Sequence, residues 1–544
     1  MSALPTLPPA RATGALLCGF AASAALAGVI PGTGASPSST QLGATDAVAM
    51  QRAPDQKGHV LLVPYFTAQQ GQMTVLHLAN TDRNNGKAIK LRIRGAANGD
   101  SLLTLTVLLS PGDMWTGAVT AGPDGRAQIV TGDASCTAPR LAAGVAQPFS
   151  TDRLNPALTQ EERASHTREG AIEAIVAADI PFAPLYGATG TAYSELRAAI
   201  SPALVPPRCS APAVDAALLE DASDEATAAA RGFATPSGGV GGTWYIIDVP
   251  GATTFSSAMT ALQAINAAGR PARGNYVLFP ATDQAIAQPE RYTADPLLVS
   301  AGLASRQKSI DGVASEPTSS AVVQALAHDL PDLSTPYRLP ASEANARRTA
   351  AEASQALAAH EVSNQFSVES SISAQTDWVL AMPTQRYSVA LDYATGQRTF
   401  SVVPPAGEGR QYYHTDNTQA RAGRVCRFNV NTTLHVSSRE DLRDRVGTGA
   451  LFPTPLSLQL CGAVTVAPAA QIASASPSVL SASAALSSPL QTQSAVTGWA
   501  ALEFLDPTGQ PVIGAAFMKL VNPGAAPGLA GHYGILYPHM VTQP

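Results

Sequence analysis

The stretch KAIKLRIRG, Lys87 to Gly95, followed closely by SLLTLTVLL, Ser101 to Leu109, decides the fold class of this chain. In the first segment Ile89, Leu91 and Ile93 fall on one side of an extended backbone, and Lys90, Arg92 and Arg94 on the other. Successive side chains of a strand point to opposite faces, whereas a helix would scatter the same residues around its axis. The alternation predicts a half-buried strand with a solvated cationic face. In the second segment Leu103, Leu105, Val107 and Leu109 share a face. Ser110-Pro111-Gly112-Asp113 is a turn, and MWTGAVTA begins the next strand.

Upstream, HVLLVPYFT and QMTVLHLAN read as two strands joined by the polar AQQG turn. Strands at this spacing, separated by Asn, Gly and Pro, indicate an antiparallel immunoglobulin-like β-sandwich over residues 57–140. Residues 28–56 read as a flexible lead-in. Residues 141–544 read as a second, larger β-rich body with helical insertions, so the chain as a whole is expected to be mainly β.

Within that body Thr159 to Glu162 is a capping-box pattern that starts a short helix. AIEAIVAADI, bounded by Gly170 and Pro181, is read as a strand, and VDAALLEDASDEATAAARG as one helix stopped by Gly232. WYIIDVP, the segment around Met259 and NYVLFPA return to strand chemistry, and residues 283–340 are loop-rich. SEANARRTAAEASQALAAHEV is Ala-rich, free of Pro and preceded by Ser342, which predicts a capped helix. DWVLAMP and RYSVALDY are further strands. Residues 466–495, rich in Ser, Ala and Pro, are expected to form an exposed loop. GWAALEFLD and PVIGAAFMKLV are expected to close the chain as a hairpin across Pro507 to Gln510.

The grammar of the first block, Asn80-Thr81-Asp82, then KAIKLRIR, then LLSPGDMW, resembles the Ig-like modules of bacterial surface proteins. The segments LLVPYFT, LSPGDMWT, DRLNPALT, TREG, TADPLL, LPDLSTPY, DWVLAMPTQRY and GAAFMKLVNP span most of the chain. On them it resembles functionally uncharacterised exported cell-surface proteins of proteobacteria. That resemblance implies export and a β-sandwich at the N-terminal side. It transfers no catalytic residue.

The N-terminus points the same way. Arg11 is followed by the apolar run GALLCGFAASAALAGVI, Gly14 to Ile30, and then by small and turn-forming residues. This is a secretory signal pattern over residues 1–27, with Ala25-Leu26-Ala27 as the first cleavage triplet, Thr33-Gly34-Ala35 as the second and Ala47-Val48-Ala49 lying far downstream. Lipidation at Cys18 is disfavoured, because Leu17 stands where a small residue is needed. Removing the signal leaves Cys136, Cys209, Cys426 and Cys461, an even number that suggests two disulfides. Of the three connectivities, Cys136–Cys209 with Cys426–Cys461 closes the shortest loops.

Composition excludes several functions. Hydrophobic residues at 45% suffice for a core, and the net charge of −6 is spread without a basic block, which argues against nucleic acid. No later run of eighteen apolar residues suggests a transmembrane helix. C-x-x-C, H-E-x-x-H, G-x-S-x-G, Walker A and G-x-G-x-x-G patterns do not occur, and no cofactor or resident metal is expected. Ser305 to Lys308 matches S-x-x-K, but its partner elements S-D-N and K-T-G are missing. Glu161 and Glu162 are adjacent, so on a helix they diverge, as first-turn charges favoured by the dipole rather than an acid/base pair.

His328, Asp329 and Asp332 in HDLPDLSTPY form the one candidate cation cluster. Against it stands the common role of Asp as a turn cap. Trp115, Trp244, Trp378 and Trp499 all lie in expected strands, where core packing is the default; with Tyr412 and Tyr413 they are the only candidates for stacking on sugar rings. Lys87, Lys90, Arg92 and Arg94 form a strip that could meet an acidic polysaccharide or a partner, against the plainer reading of a solvated strand face. The expectation is an exported, non-enzymatic structural or adhesive protein of the periplasm or cell surface. Its partner would be a protein or polysaccharide, and exposed sheet edges would allow oligomers. Its rivals are an exported hydrolase acting on a polymer and a carbohydrate- or ligand-binding module.

Overall fold

The cationic strand Gly86–Gly95 lies inside a seven-stranded antiparallel sheet, and both of its faces are buried. The structure is a computed structural model. It describes residues 29–181, 194–201, 207–219, 222, 224–277, 331–340, 343–393, 395–400, 412–428, 432–440, 456–471, 478–486, 488–492 and 494–544. The first sheet runs in the order Cys136–Ala138, Ser101–Leu109, Gly86–Gly95, Glu169–Ile180, Val60–Thr67, Thr260–Ile265, Ala49–Arg52. The facing sheet runs Gln147–Pro148, Ala127–Val130, Met114–Ala121, Gln72–Asn80, Val240–Asp248, Thr253–Ala258, with Lys57–Gly58 against Val240–Asp248. Val60–Thr67 and Gln72–Asn80 are therefore strands, as expected, but in opposite sheets.

This sandwich does not end near residue 140. Its central neighbour for Gly86–Gly95 is Glu169–Ile180, the strand expected between Gly170 and Pro181, and it also takes in strands up to Ile265. The close fit needs Gly170, since a Cβ there would lie 1.7 Å from the Arg94 carbonyl oxygen. The flexible lead-in expected over 28–56 is not loose over its described residues, 29–56. Val29–Ile30 pairs with Tyr276–Val277, Leu42 is fully buried, and Ala49–Arg52 forms the sheet edge. Residues 1–27, read as the signal, lie outside the described residues.

The predicted solvated cationic face is the main correction. Ile89, Leu91 and Ile93 enter the core as expected, each contributing roughly 1.5–3 kcal/mol by burial. Lys87, Lys90, Arg92 and Arg94 are buried as well. Lys87 Nζ donates to Asp179 Oδ1 at 2.7 Å, to Asp82 Oδ2 at 3.1 Å and to Ser237 Oγ at 2.7 Å. Arg273 closes on the other oxygen of Asp179 at 3.2 Å. Arg94 Nε and Nη2 both donate to Glu173 Oε2 at 3.3 Å. Arg92 Nε donates to the Pro331 carbonyl at 2.9 Å. The physical reason is cross-strand pairing: Glu173 sits opposite Arg92 and Asp179 opposite Lys87, so the acids of one strand meet the bases of the next as a later segment of the chain covers both.

The second body is built from two further sheets. One runs Thr432–Ser438, Thr497–Phe504, Glu361–Ser367, Met540–Thr542, and the other Leu490–Gln491, Val464–Ala470, Gln375–Ala381, Ile513–Ala526, Leu529–Pro538. Gln375–Ala381 buries both faces. Trp378 and Leu380 join the core of the second body, while Val379 and Ala381 join the core of the first sandwich. The expected hairpin of GWAALEFLD with PVIGAAFMKLV is not formed, because Thr497–Phe504 and Ile513–Ala526 lie in different sheets. Ile513–Ala526 instead pairs with Leu529–Pro538.

Helices appear where capping chemistry put them. Thr159 and Glu162 complete a capping box ahead of Gln160–His166. Glu343–Leu357 is helical, although Ser342 lies outside the described residues. The helix expected to run to Gly232 is two, Pro212–Leu219 and Glu225–Ala230, the second capped by the Asp224 side chain on Thr227 N–H. Asp224 competes for the backbone and restarts the helix rather than continuing it.

The Ser/Ala/Pro tract expected as an exposed loop is partly interior. Val479, Leu480, Ala484, Ala485 and Leu490 are buried. Glu169 accepts from Ser483 N–H at 2.7 Å, Ala485 N–H at 2.9 Å and Gln69 Nε2 at 2.7 Å. Asp377 Oδ2 accepts from Leu480 N–H at 3.0 Å and from Ser478 Oγ at 2.5 Å. Its low-complexity Ser, Ala and Pro composition suggests an exposed loop, but backbone N–H groups within it are satisfied by buried carboxylates. Cys136–Cys209 and Cys426–Cys461 form the two disulfides, the pairing with the shortest loops. Among the described residues no helix is long and apolar enough to cross a membrane.

Removing one member of a buried pair leaves an uncompensated charge, which costs about 3–5 kcal/mol, whereas an apolar replacement of both is often neutral. Glu173→Gln is therefore expected to lower the unfolding free energy by about 3 kcal/mol or more. Arg94→Met with Glu173→Leu should recover most of that loss. Chemical denaturation of the two variants and the parent measures both.

Candidate functional site

Where the two bodies meet, a cleft of about 350 Å³ opens between the 52–56 turn, the Thr253–Ala258 and Thr260–Ile265 strands, and the segments around Ile513 and His539. Each wall follows from the fold. Ala49–Arg52 ends at the sheet edge and turns through Gln56, a non-glycine residue at φ +59°. Trp244 and Met259 come from the sandwich, and Val512 to Ala515 from the start of the Ile513–Ala526 strand. Among the described residues no Asp or Glu lines the cleft.

Among the described residues His539 is its only imidazole. Nε2–H donates to the Val379 carbonyl at 2.9 Å, and Nδ1 accepts from Asn364 Nδ2 at 3.1 Å. Asn364 Nδ2 also donates to the Tyr537 carbonyl at 2.8 Å. The ring stands 4.9 Å from that of Trp378. Burial lowers its pKa to about 4, against the opposing effect of the bond to Val379. His539 is thus a neutral, single-tautomer ring with both nitrogens in use, and not a base with a free lone pair. His59 is held alike: Nε2–H donates to Pro236 at 3.1 Å, and burial lowers its pKa to about 4.

The residues singled out from sequence do not assemble into one site. His328, Asp329 and Ser305 to Lys308 lie outside the described residues. Asp332 is buried, its Oδ1 accepting from Ser334 N–H at 2.8 Å and Ser334 Oγ at 2.6 Å, with Arg386 Nη1 3.6 Å from Oδ2. A turn and a guanidinium occupy this carboxylate in place of a cation. Among the described residues no group of three His, Cys, Asp or Glu side chains is placed to hold a metal.

Trp115, Trp244 and Trp378 are buried, whereas Trp499 is 38% exposed. Tyr412 and Tyr413 are buried, so neither can stack on a sugar ring. Glu162 serves the capping box. The cationic strip faces protein rather than solvent and offers nothing to a polysaccharide. Sequence reasoning does not find the cleft, because its lining comes from seven separated stretches. The one local hint was Trp244 followed by the Met259 segment.

Comparison with protein-family models, with curated proteins and with solved structures returns no match for this chain.

Protonation of His539 sets a pH dependence. Its folded pKa lies below the ordinary value of 6.5, so between about 6.5 and 4 the unfolded chain binds the proton and the folded chain does not. Stability from this group is complete above about pH 6.5 and is lost as pH falls towards 4. The stability difference between the parent and His539→Gln should therefore shrink by about 2 kcal/mol between pH 7 and 4.5. Urea titrations at the two pH values measure it.

Proposed function

We propose that this chain is an exported, non-enzymatic protein that presents a β-sheet edge to a partner at the cell surface or in the periplasm. The observation that carries the reading is the terminal strand Leu529–Pro538. It ends its five-stranded sheet and contains no Asp, Glu, Lys or Arg. Leu529, Tyr533 and Tyr537, spaced along the strand at same-face intervals, stand 65%, 50% and 37% exposed. Its hairpin partner is exposed from Asn522 to Ala526.

Sheet edges in folded proteins are usually blunted by charges, Pro or a covering element. An uncharged edge carrying aromatic side chains suits strand addition by another chain, with main-chain bonds giving affinity and the aromatic row giving selectivity. Export is supported by the signal pattern at residues 1–27 and by two disulfides, a modification of oxidising compartments. The resemblance to exported cell-surface proteins agrees with it. A non-catalytic role is supported by the state of His539, both of whose ring nitrogens are in use, and by a cleft lining without carboxylates among the described residues. The partner is a protein segment able to lie as a strand.

A photoreactive phenylalanine at Tyr533 tests this in the native cell, with the same group at exposed Val145 as the comparison. A discrete adduct at 533 that is absent at 145 is the expected result. Correct localisation with no adduct at 533 counts against the proposal.

A further inference from the structure

The cleft between the two bodies carries a second, independent reading. Its apolar walls include Trp244, Met259, Ile513 and Val541. Its polar lining, besides His539, is Arg52, Gln56, Ser257 and Thr260. These four side chains have no hydrogen-bond or ion-pair partner among the described residues. Elsewhere at this junction polar groups are spent on one another: Lys519 pairs with Asp248, and Arg338 with Glu352. The cleft is where that pairing stops. Trp244 is buried, and its indole N–H has no acceptor. Gln56 holds a left-handed backbone conformation, a form of local strain that clusters at binding sites.

Charge decides the class of ligand. Among the described residues of the lining Arg52 is the only ionised group, since His539 is neutral and no carboxylate is present. A lone guanidinium beside apolar walls attracts an anion and offers a two-pronged donor to a carboxylate. A volume of about 350 Å³ falls within the ~300–1,000 Å³ typical of small-molecule sites. We propose that this cleft binds a small organic anion, its carboxylate on Arg52 and its apolar body against Trp244 and Ile513. Ser257 and Thr260 supply hydroxyls that orient it. The proposal does not depend on the Leu529–Pro538 edge, and either can fail alone.

Calorimetric titration of the full chain with 2-naphthoate and with its uncharged isostere 2-naphthamide tests it. The acid should bind at one site, about ten-fold more tightly than the amide. Arg52→Ala should reduce the acid to the level of the amide and leave amide binding unchanged. Arg52 is exposed, so this variant is expected to keep the parent's thermal midpoint. Ala258→Trp, which fills the cleft, should abolish binding of both, and Ser257→Phe serves if that variant does not fold. No saturable binding of naphthoate, or an acid preference that survives Arg52→Ala, overturns the proposal.

Discussion

The contact on which the architecture depends is the burial of the basic residues of Gly86–Gly95 against Glu173 and Asp179. Moving four basic side chains out of water costs several kcal/mol apiece unless each finds an acceptor. Lys87 finds two carboxylates and a hydroxyl, Arg94 one carboxylate, and Arg92 a carbonyl from beyond residue 330. The first sandwich and the chain beyond residue 330 are therefore not separable pieces. Without the covering segment, the same strand would hold an amphipathic face towards solvent. With it, the cross-strand pairs Glu173–Arg92 and Asp179–Lys87 fix which strand lies beside which.

The second body exploits the same economy with apolar groups. Gln375–Ala381 sends alternate residues into two cores, so the middle of the five-stranded sheet is an inner layer while its Leu529–Pro538 edge reaches the surface. Aromatic contacts continue the junction: Phe517 meets Trp244 and Phe255 across it, at ring separations of 6.1 and 5.4 Å. The cleft is the gap left where this junction opens towards Arg52. Its walls come from strands of both bodies together with the 52–56 turn.

Much of the secondary structure was legible in the residues. Alternation marked Gly86–Gly95 and Ser101–Leu109 as strands, the capping box marked Gln160–His166, and cysteine spacing selected the disulfide pairing. Periodicity reports that two faces differ, but not what covers each one. That is why a buried cationic face was read as a wet one. The missing signal was present in EAIVAAD, where Glu173 and Asp179 interrupt an otherwise apolar strand; acids in such a place need bases nearby. The Ser/Ala/Pro tract misled for a related reason: Ser483 to Ala485 act through their backbone N–H groups, which side-chain composition does not reveal. The cleft was illegible because its lining is brought together only by the docking of the two bodies.

The pairing of Val29–Ile30 with Tyr276–Val277 has a temporal consequence. A ribosome makes the first of these strands long before the second. Until Tyr276 emerges, that early strand has no ladder to join, and Glu169 waits longer still for Ser483. Closing such distant contacts late makes assembly slow and leaves sticky edges uncovered in the meantime. The nascent polypeptide is thus a natural client for a holding chaperone, since the Glu169–Ser483 contact closes only late in synthesis.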